Sequence, residues 1–164
     1  MDMVYAITGS EVLSSVQEDF DRLEQWKLGK ETITQTAVEH EGVIVRDNSQ
    51  LKVVNGVVEY DAEAVAEQAE AQKQNSIKQL ESLAFTQQNK IIDQNMSQFL
   101  WDMFKSFDLS VCPIAKNYKD FLDALWLQYH TDKASLNFDV DYSTIVPANE
   151  YSYQEIEAEY IANK

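Results

Sequence analysis

Cys112 is the only thiol in this 164-residue chain, and His40 and His130 are its only imidazoles. An imidazole beside a cysteine can generate a thiolate nucleophile. Cys112, however, stands among Leu109, Val111, Pro113 and Ile114. That setting predicts a buried, inert thiol. Two histidines far apart in sequence do not form a zinc motif, and one cysteine cannot form an intrachain disulfide. Asp139 and Asp141 in "DVDY" put two carboxylates on one face of an extended segment, without the tight loop that a calcium site uses. The four glycines, Gly9, Gly29, Gly42 and Gly56, are isolated, so none builds a phosphate-cradling loop. No nucleophile elbow, kinase signature or dinucleotide fingerprint is present. The expectation is a protein that is not an enzyme, with no catalytic residues, no metal site and no cofactor.

The net charge of −15 is the strongest global fact. Counted along the chain, the excess is spread rather than gathered in one tail. A field of that sign repels phosphate backbones and anionic lipid, which argues against direct nucleic-acid binding and against a membrane surface. It favours a basic protein partner, although solubility alone is the plainer reading. Apolar residues make up 45% of the chain, enough for a core and too many for global disorder. No apolar run nears the ~20 residues of a spanning helix, and the N-terminus "MDMVYAITGSEV" lacks the regions of a signal peptide. A cytoplasmic protein is expected, in the host cytoplasm if it is viral.

The expected fold class is α+β and helix-dominated, with a small antiparallel β-meander and a long or broken central helix. Three regions are read: 1–60, an N-terminal helix plus meander; 61–137, helical; and 138–164, an acidic strand or tail. Val4 to Ile7 reads as a strand. From Ser10 as N-cap, the spacing of Val12, Leu13, Val16, Phe20 and Leu23 predicts a helix to about Leu28. Residues 30–60 are rich in threonine and valine, with turn chemistry at Glu41-Gly42, Asp47-Asn48-Ser49 and Asn55-Gly56. Asn-Gly suits the type I′ turn of a hairpin over Leu51 to Tyr60.

Asp61 is placed to cap the next helix. Its first part, Ala62 to Ser76, is too polar to be buried, and its apolar face begins at Ile77. Continuous to Phe107, that helix would extend roughly 70 Å; a break near "AFTQQN" (Ala84 to Asn89) is the other reading. The partial heptads allow a coiled coil between copies, and so a homo-oligomer through the central helix. Pro113 forces a connection, and Asn117 to His130 is a further helix. "NFDVDYSTIV" alternates as a strand or extended arm. The last segment, "YSYQEIEAEYIANK", reads as a short helix with Tyr153, Ile156 and Tyr160 on one side, or as an acidic tail.

The aromatic residues of 99–129 read as core, with Trp101 off the main stripe and so a candidate interface anchor. The expected partner-binding residues are Val65, Ala69, Trp101, Tyr151, Tyr153, Glu155, Glu157 and Glu159. The run "LKVVNGVVEYDAEAVAEQAEAQKQNSIKQLESL" resembles bacteriophage tail-fibre assembly chaperones and tail accessory proteins. "NYKDFLDALWLQYHTDK" is similar to their tryptophan-containing C-terminal helices. The likeness covers about residues 51–85 and 117–133, and carries no catalytic residues. It implies a phage-type tail accessory or assembly protein whose partner is basic or has an exposed apolar groove. The alternative is an acidic inhibitor of a nucleic-acid enzyme, an anti-CRISPR-like nucleic-acid mimic. A mimic would lose activity when Glu155, Glu157 and Glu159 are reversed to lysine; a tail factor would at most bind its partner more weakly.

Overall fold

The computed structural model describes residues 1–96 and 98–163, and the fold class is α+β. Two compact units divide the chain, Met1–Gln72 and Lys73–Lys164. No helix among the described residues is long and apolar enough to cross a membrane.

The first unit is a curled antiparallel sheet of β1 (Asp2–Thr8), β2 (Glu11–Gln17), β3 (Glu31–Thr36), β6 (Leu51–Val54) and β7 (Val57–Tyr60). The strand order is β3-β1-β2-β6-β7. A separate two-stranded ribbon joins β4 (Glu39–His40) to β5 (Val43–Ile44). Asn55 and Gly56 both take positive φ, 52° and 77°, as a type I′ turn demands. Val53 faces Val58 and Val54 faces Val57, so that hairpin forms as read from the sequence. Glu41 and Gly42, at 52° and 78°, make the equivalent turn between β4 and β5.

The N-terminal helix expected from Ser10 to about Leu28 is instead β2 followed by a five-residue helix, α1 (Leu23–Lys27). Gly9 takes a φ of 60° at the first central position of a two-residue loop, where a type II′ turn places glycine. The chain therefore folds back, and Ile7 pairs with Val12 and Val4 with Val16. Two residues of the supposed helical face, Leu13 and Phe20, are 57% and 43% exposed. The sheet is therefore not a meander of residues 30–60 alone: the β1–β2 hairpin lies inside it, between β3 and β6. Tyr5 and Ile7 of β1 pack with Val12, Leu51 and Val58 to form the core of the unit.

One side chain closes the curl. Gln35 on the edge strand β3 donates its amide N–H to the Val58 carbonyl and accepts from the Val58 N–H, each at 2.8 Å. It pairs with the other edge strand as a backbone amide would.

Asp61 caps α2 (Ala62–Asn95): its carboxylate accepts from the Ala64 N–H at 3.2 Å and from Lys52 Nζ at 3.1 Å. The Ala64 hydrogen bond, then Lys52, hold that carboxyl below its usual range. The helix runs unbroken through Ala84 to Asn89 yet stops short of Phe107, so neither the break there nor the continuous run is found. It ends at Asn95, whose amide donates back to the Ile91 carbonyl. α3 (Gln98–Phe104) follows, then α4 (Pro113–Ser135) and α5 (Tyr153–Ala162). The connection expected at Pro113 occupies residues 105–112, and Pro113 itself opens α4, four residues before the expected start at Asn117, in the first turn where its missing N–H costs nothing.

The second unit buries Leu80, Ala84, Ile91 and Ile92 of α2 against Phe104, Tyr118, Phe121 and Leu125. Residues 138–141 form no strand, which leaves the extended arm of the two readings: Phe138 and Val140 are half-buried and Asp139 and Asp141 exposed, and a single 3-10 turn, Tyr142–Thr144, follows them. Asp141 caps that turn through Ser143, and α5 then closes on a reciprocal capping box between Ser152 and Glu155.

Gln35→Ala leaves both polar groups of the buried Val58 unpaired. It is expected to lower the stability of the sheet unit by about 1–3 kcal/mol, read as a lower urea midpoint at unchanged slope.

Candidate protein-docking cleft

α3 and the first half of α4 flank a cleft of about 160 Å³, lined by Trp101, Phe104, Leu109, Ala115 and Leu122. Lys105, Lys119 and Asp123 stand at its rim. Two ion pairs at 2.8 Å hold the lysines, Lys105 to Asp102 and Lys119 to Asp123. Lys105 also reaches over the Trp101 ring, 5.5 Å from its centroid. The loop into α4 turns on Asp108, which accepts from the backbone and hydroxyl of Ser110. The start of α4 is held by Glu159 of α5: Oε1 accepts the Ile114 N–H at 3.0 Å and Oε2 the Ala115 N–H at 2.9 Å. A carboxylate there satisfies two orphan donors and meets the positive end of the helix dipole. Four more open hollows of about 290–410 Å³ are spread over the two units.

Of the residues singled out from the sequence, Trp101 is 6% exposed and lines the cleft. Val65 is half-buried and Ala69 exposed on the first turns of α2, within the sheet unit. Tyr151 is half-buried beside the helical core, and Tyr153 is exposed at the start of α5. The three glutamates separate in role. Glu155 closes the capping box of α5, Glu159 caps α4, and Glu157 is exposed. Reversing all three to lysine would therefore disturb the fold before it tested any charge-based contact.

Cys112 is fully buried, and desolvation, then the charges of Glu159 and Asp108, push its thiol up. That is the opposite of an activated nucleophile. His130 is exposed on α4, and His40 belongs to the sheet unit, where it stacks on Tyr60 at 3.9 Å. Among the described residues no group of three metal-ligating side chains comes together.

Three buried polar residues escaped the sequence reading. Gln87, in phase with Leu80, Ala84 and Ile91, donates to the carbonyls of Ser143 and Ile145. Asn117 bonds the backbone of Asn149 in both directions. Asp132 accepts from Asn137 at 3.0 Å, Gln128 at 3.1 Å and the Tyr142 hydroxyl at 3.3 Å. A polar residue in the phase of an apolar stripe was the available signal. The glutamine run that suggested a break is likewise occupied: Gln88 accepts the Trp126 indole N–H at 2.9 Å.

Charge is also less even than its spread along the chain suggests. Residues 1–72 hold fifteen acids against five bases, so −10 of the −15 lies in the sheet unit. Comparison with protein-family models, with curated proteins and with solved structures finds no match to this chain.

Glu159→Gln keeps one acceptor and loses the charge, and is expected to cost about 1–2 kcal/mol of stability, measured by thermal and urea unfolding. A second expectation concerns alkaline pH. Burial, then the nearby Glu150 and Tyr151, push the Tyr118 hydroxyl up to about 12; burial, then Asp132, does the same for Tyr142. Both groups hold their protons more tightly folded than unfolded, where the value is about 10. Their contribution is complete below pH ~10 and is lost as pH rises toward about 12. Tyr118 has no hydrogen-bond partner among the described residues. Tyr118→Phe should therefore leave neutral-pH stability equal or higher and move alkaline unfolding upward, followed by circular dichroism.

Proposed function

We propose that this chain is a non-enzymatic protein-binding factor, a phage-type tail accessory or assembly protein acting in the host cytoplasm. The observation that supports binding is the cleft between α3 and α4. At about 160 Å³ it is smaller than the ~300–1,000 Å³ of small-molecule sites, and suits one apolar side chain of a partner. A tryptophan-lined floor inside a polar rim is the anatomy of an interface anchor point. The net charge of −15 favours a basic partner for the chain as a whole and repels nucleic acid and anionic membrane. The assignment to tail assembly is supported by the resemblance of residues 51–85 and 117–133.

A second reading, an acidic mimic that inhibits a nucleic-acid enzyme, is favoured by the −10 gathered in residues 1–72. The two readings place the contact on different units, so substitutions separate them. Capture from infected and host lysates, eluted stepwise with salt and read by mass spectrometry, identifies the partner. The first reading expects a tail structural protein that survives high salt, and a roughly tenfold weaker interaction with Leu122→Lys, which puts a positive charge into the apolar cleft, with the fold checked by circular dichroism. A nuclease released by salt, competed by DNA and lost on reversing Asp19 and Asp21 to lysine, would replace it with the second.

A further inference from the structure

The segment after α4 is joined to the helices by contacts that do not depend on the chain nearby. Gln87 reaches the Ile145 carbonyl at 2.7 Å, Asn117 the Asn149 carbonyl at 2.9 Å, and Glu159 the first N–H groups of α4. Ile156 is fully buried in the helical core, and Tyr160 stacks on Phe107 at 5.9 Å. The hydrogen-bonded partners lie 32 to 58 residues apart in sequence. An identical segment from a second copy can make every one of them.

The join itself is strained. α4 ends at Leu136 with φ 54° and ψ 34°, the left-handed region in which a Cβ is penalised and a helix end ordinarily takes glycine. Leu136 is 48% exposed. Three local donors hold the turn shut: the Leu136 N–H, shared between the Asp132 and Lys133 carbonyls, the Asn137 N–H to the Asp132 carbonyl, and the Asn137 amide to the Asp132 carboxylate. Opening the backbone at 136–137 relieves the strain and gives up those three, while the distant contacts can be rebuilt on another copy.

We propose that residues 137–163 are an exchange arm, through which two copies of this chain pair by each seating its arm on the partner's α2 and α4, with Leu136 as the hinge. Because exchange recreates the same contacts, the balance between closed monomer and dimer reduces to hinge strain and the entropy of association. This assembly is separate from the coiled coil between central helices that the heptads allow, and from the α3–α4 cleft.

The test is sedimentation of the full chain across a wide range of concentration, after equilibration by warming. An equimolar mixture of isotope-labelled and unlabelled chain then shows, by filtered NMR, whether the Tyr160 ring contacts the Phe107 ring of its own copy or of the other. The expected result is a concentration-dependent dimer with intercopy contacts. Leu136→Gly, which removes the strain and touches no arm contact, should weaken that dimer by about tenfold or more. Glu159→Gln loosens the arm equally in both forms, so it should lower melting without shifting the balance. A monomer at every concentration, a dimer with only intracopy contacts, or a dimer indifferent to Leu136→Gly would each overturn the proposal.

Discussion

The helical unit depends on polar side chains that satisfy backbone groups across long sequence distances. Glu159 occupies the N-terminus of α4, and Gln87 and Asn117 hold the irregular stretch from Ser143 to Asn149. That stretch has no ladder of its own, so its part-buried carbonyls and amides find their partners in side chains of the helices, each bond contributing about 0.5–1.5 kcal/mol. With those partners supplied, the apolar groups follow: Tyr142 and Ile156 enter the core alongside Phe121 and Leu125. An apolar cluster alone would leave the register of the segment loosely defined. The hydrogen bonds set which residue lies where.

The sheet unit answers the same problem with one residue. A five-stranded sheet leaves two edges, and edges invite pairing with other chains. Gln35 reaches from β3 to both polar groups of Val58 and so occupies part of each edge. In both units an amide or carboxylate takes over where regular secondary structure stops. The cleft between α3 and α4 differs, because its floor is apolar and its lysines are satisfied at the rim by Asp102 and Asp123. An apolar anchor would enter it without stripping water from an unpaired charge, which is the costly step in most polar contacts.

Legibility in the sequence followed the range of the forces involved. The Asn55-Gly56 turn and the Asp61 cap were readable because φ preference and capping are properties of two to four neighbouring residues. The stripe of Tyr118, Phe121, Leu125 and Tyr129 was readable because helical period is local as well. Residues 10–28 were misread because Val12, Leu13, Val16 and Phe20 satisfy a helical spacing, while the decision lay with the partner strand. The alternation of buried Val12 with exposed Leu13 exists only once β1 lies alongside. Trp101 was identified as a candidate contact from its place off the main stripe, but the cleft it lines needed α4 and the 104–115 turn to close around it.

By itself, the sequence determined the fold class, the Asn-Gly hairpin, the capped start of the long helix, the acidity and the inert setting of the one cysteine. Each rests on a single residue type or a short spacing. Tertiary structure alone decided that Glu11 to Gln17 is a strand, that α2 runs through its glutamines, and that Glu155 and Glu159 serve the fold. The reason is that a polar side chain gains or loses its meaning with its partner. Gln87 in water is an ordinary helix residue; Gln87 facing the carbonyls of Ser143 and Ile145 is a clamp, and its phase with Ala84 and Ile91 marks it as buried without naming that partner.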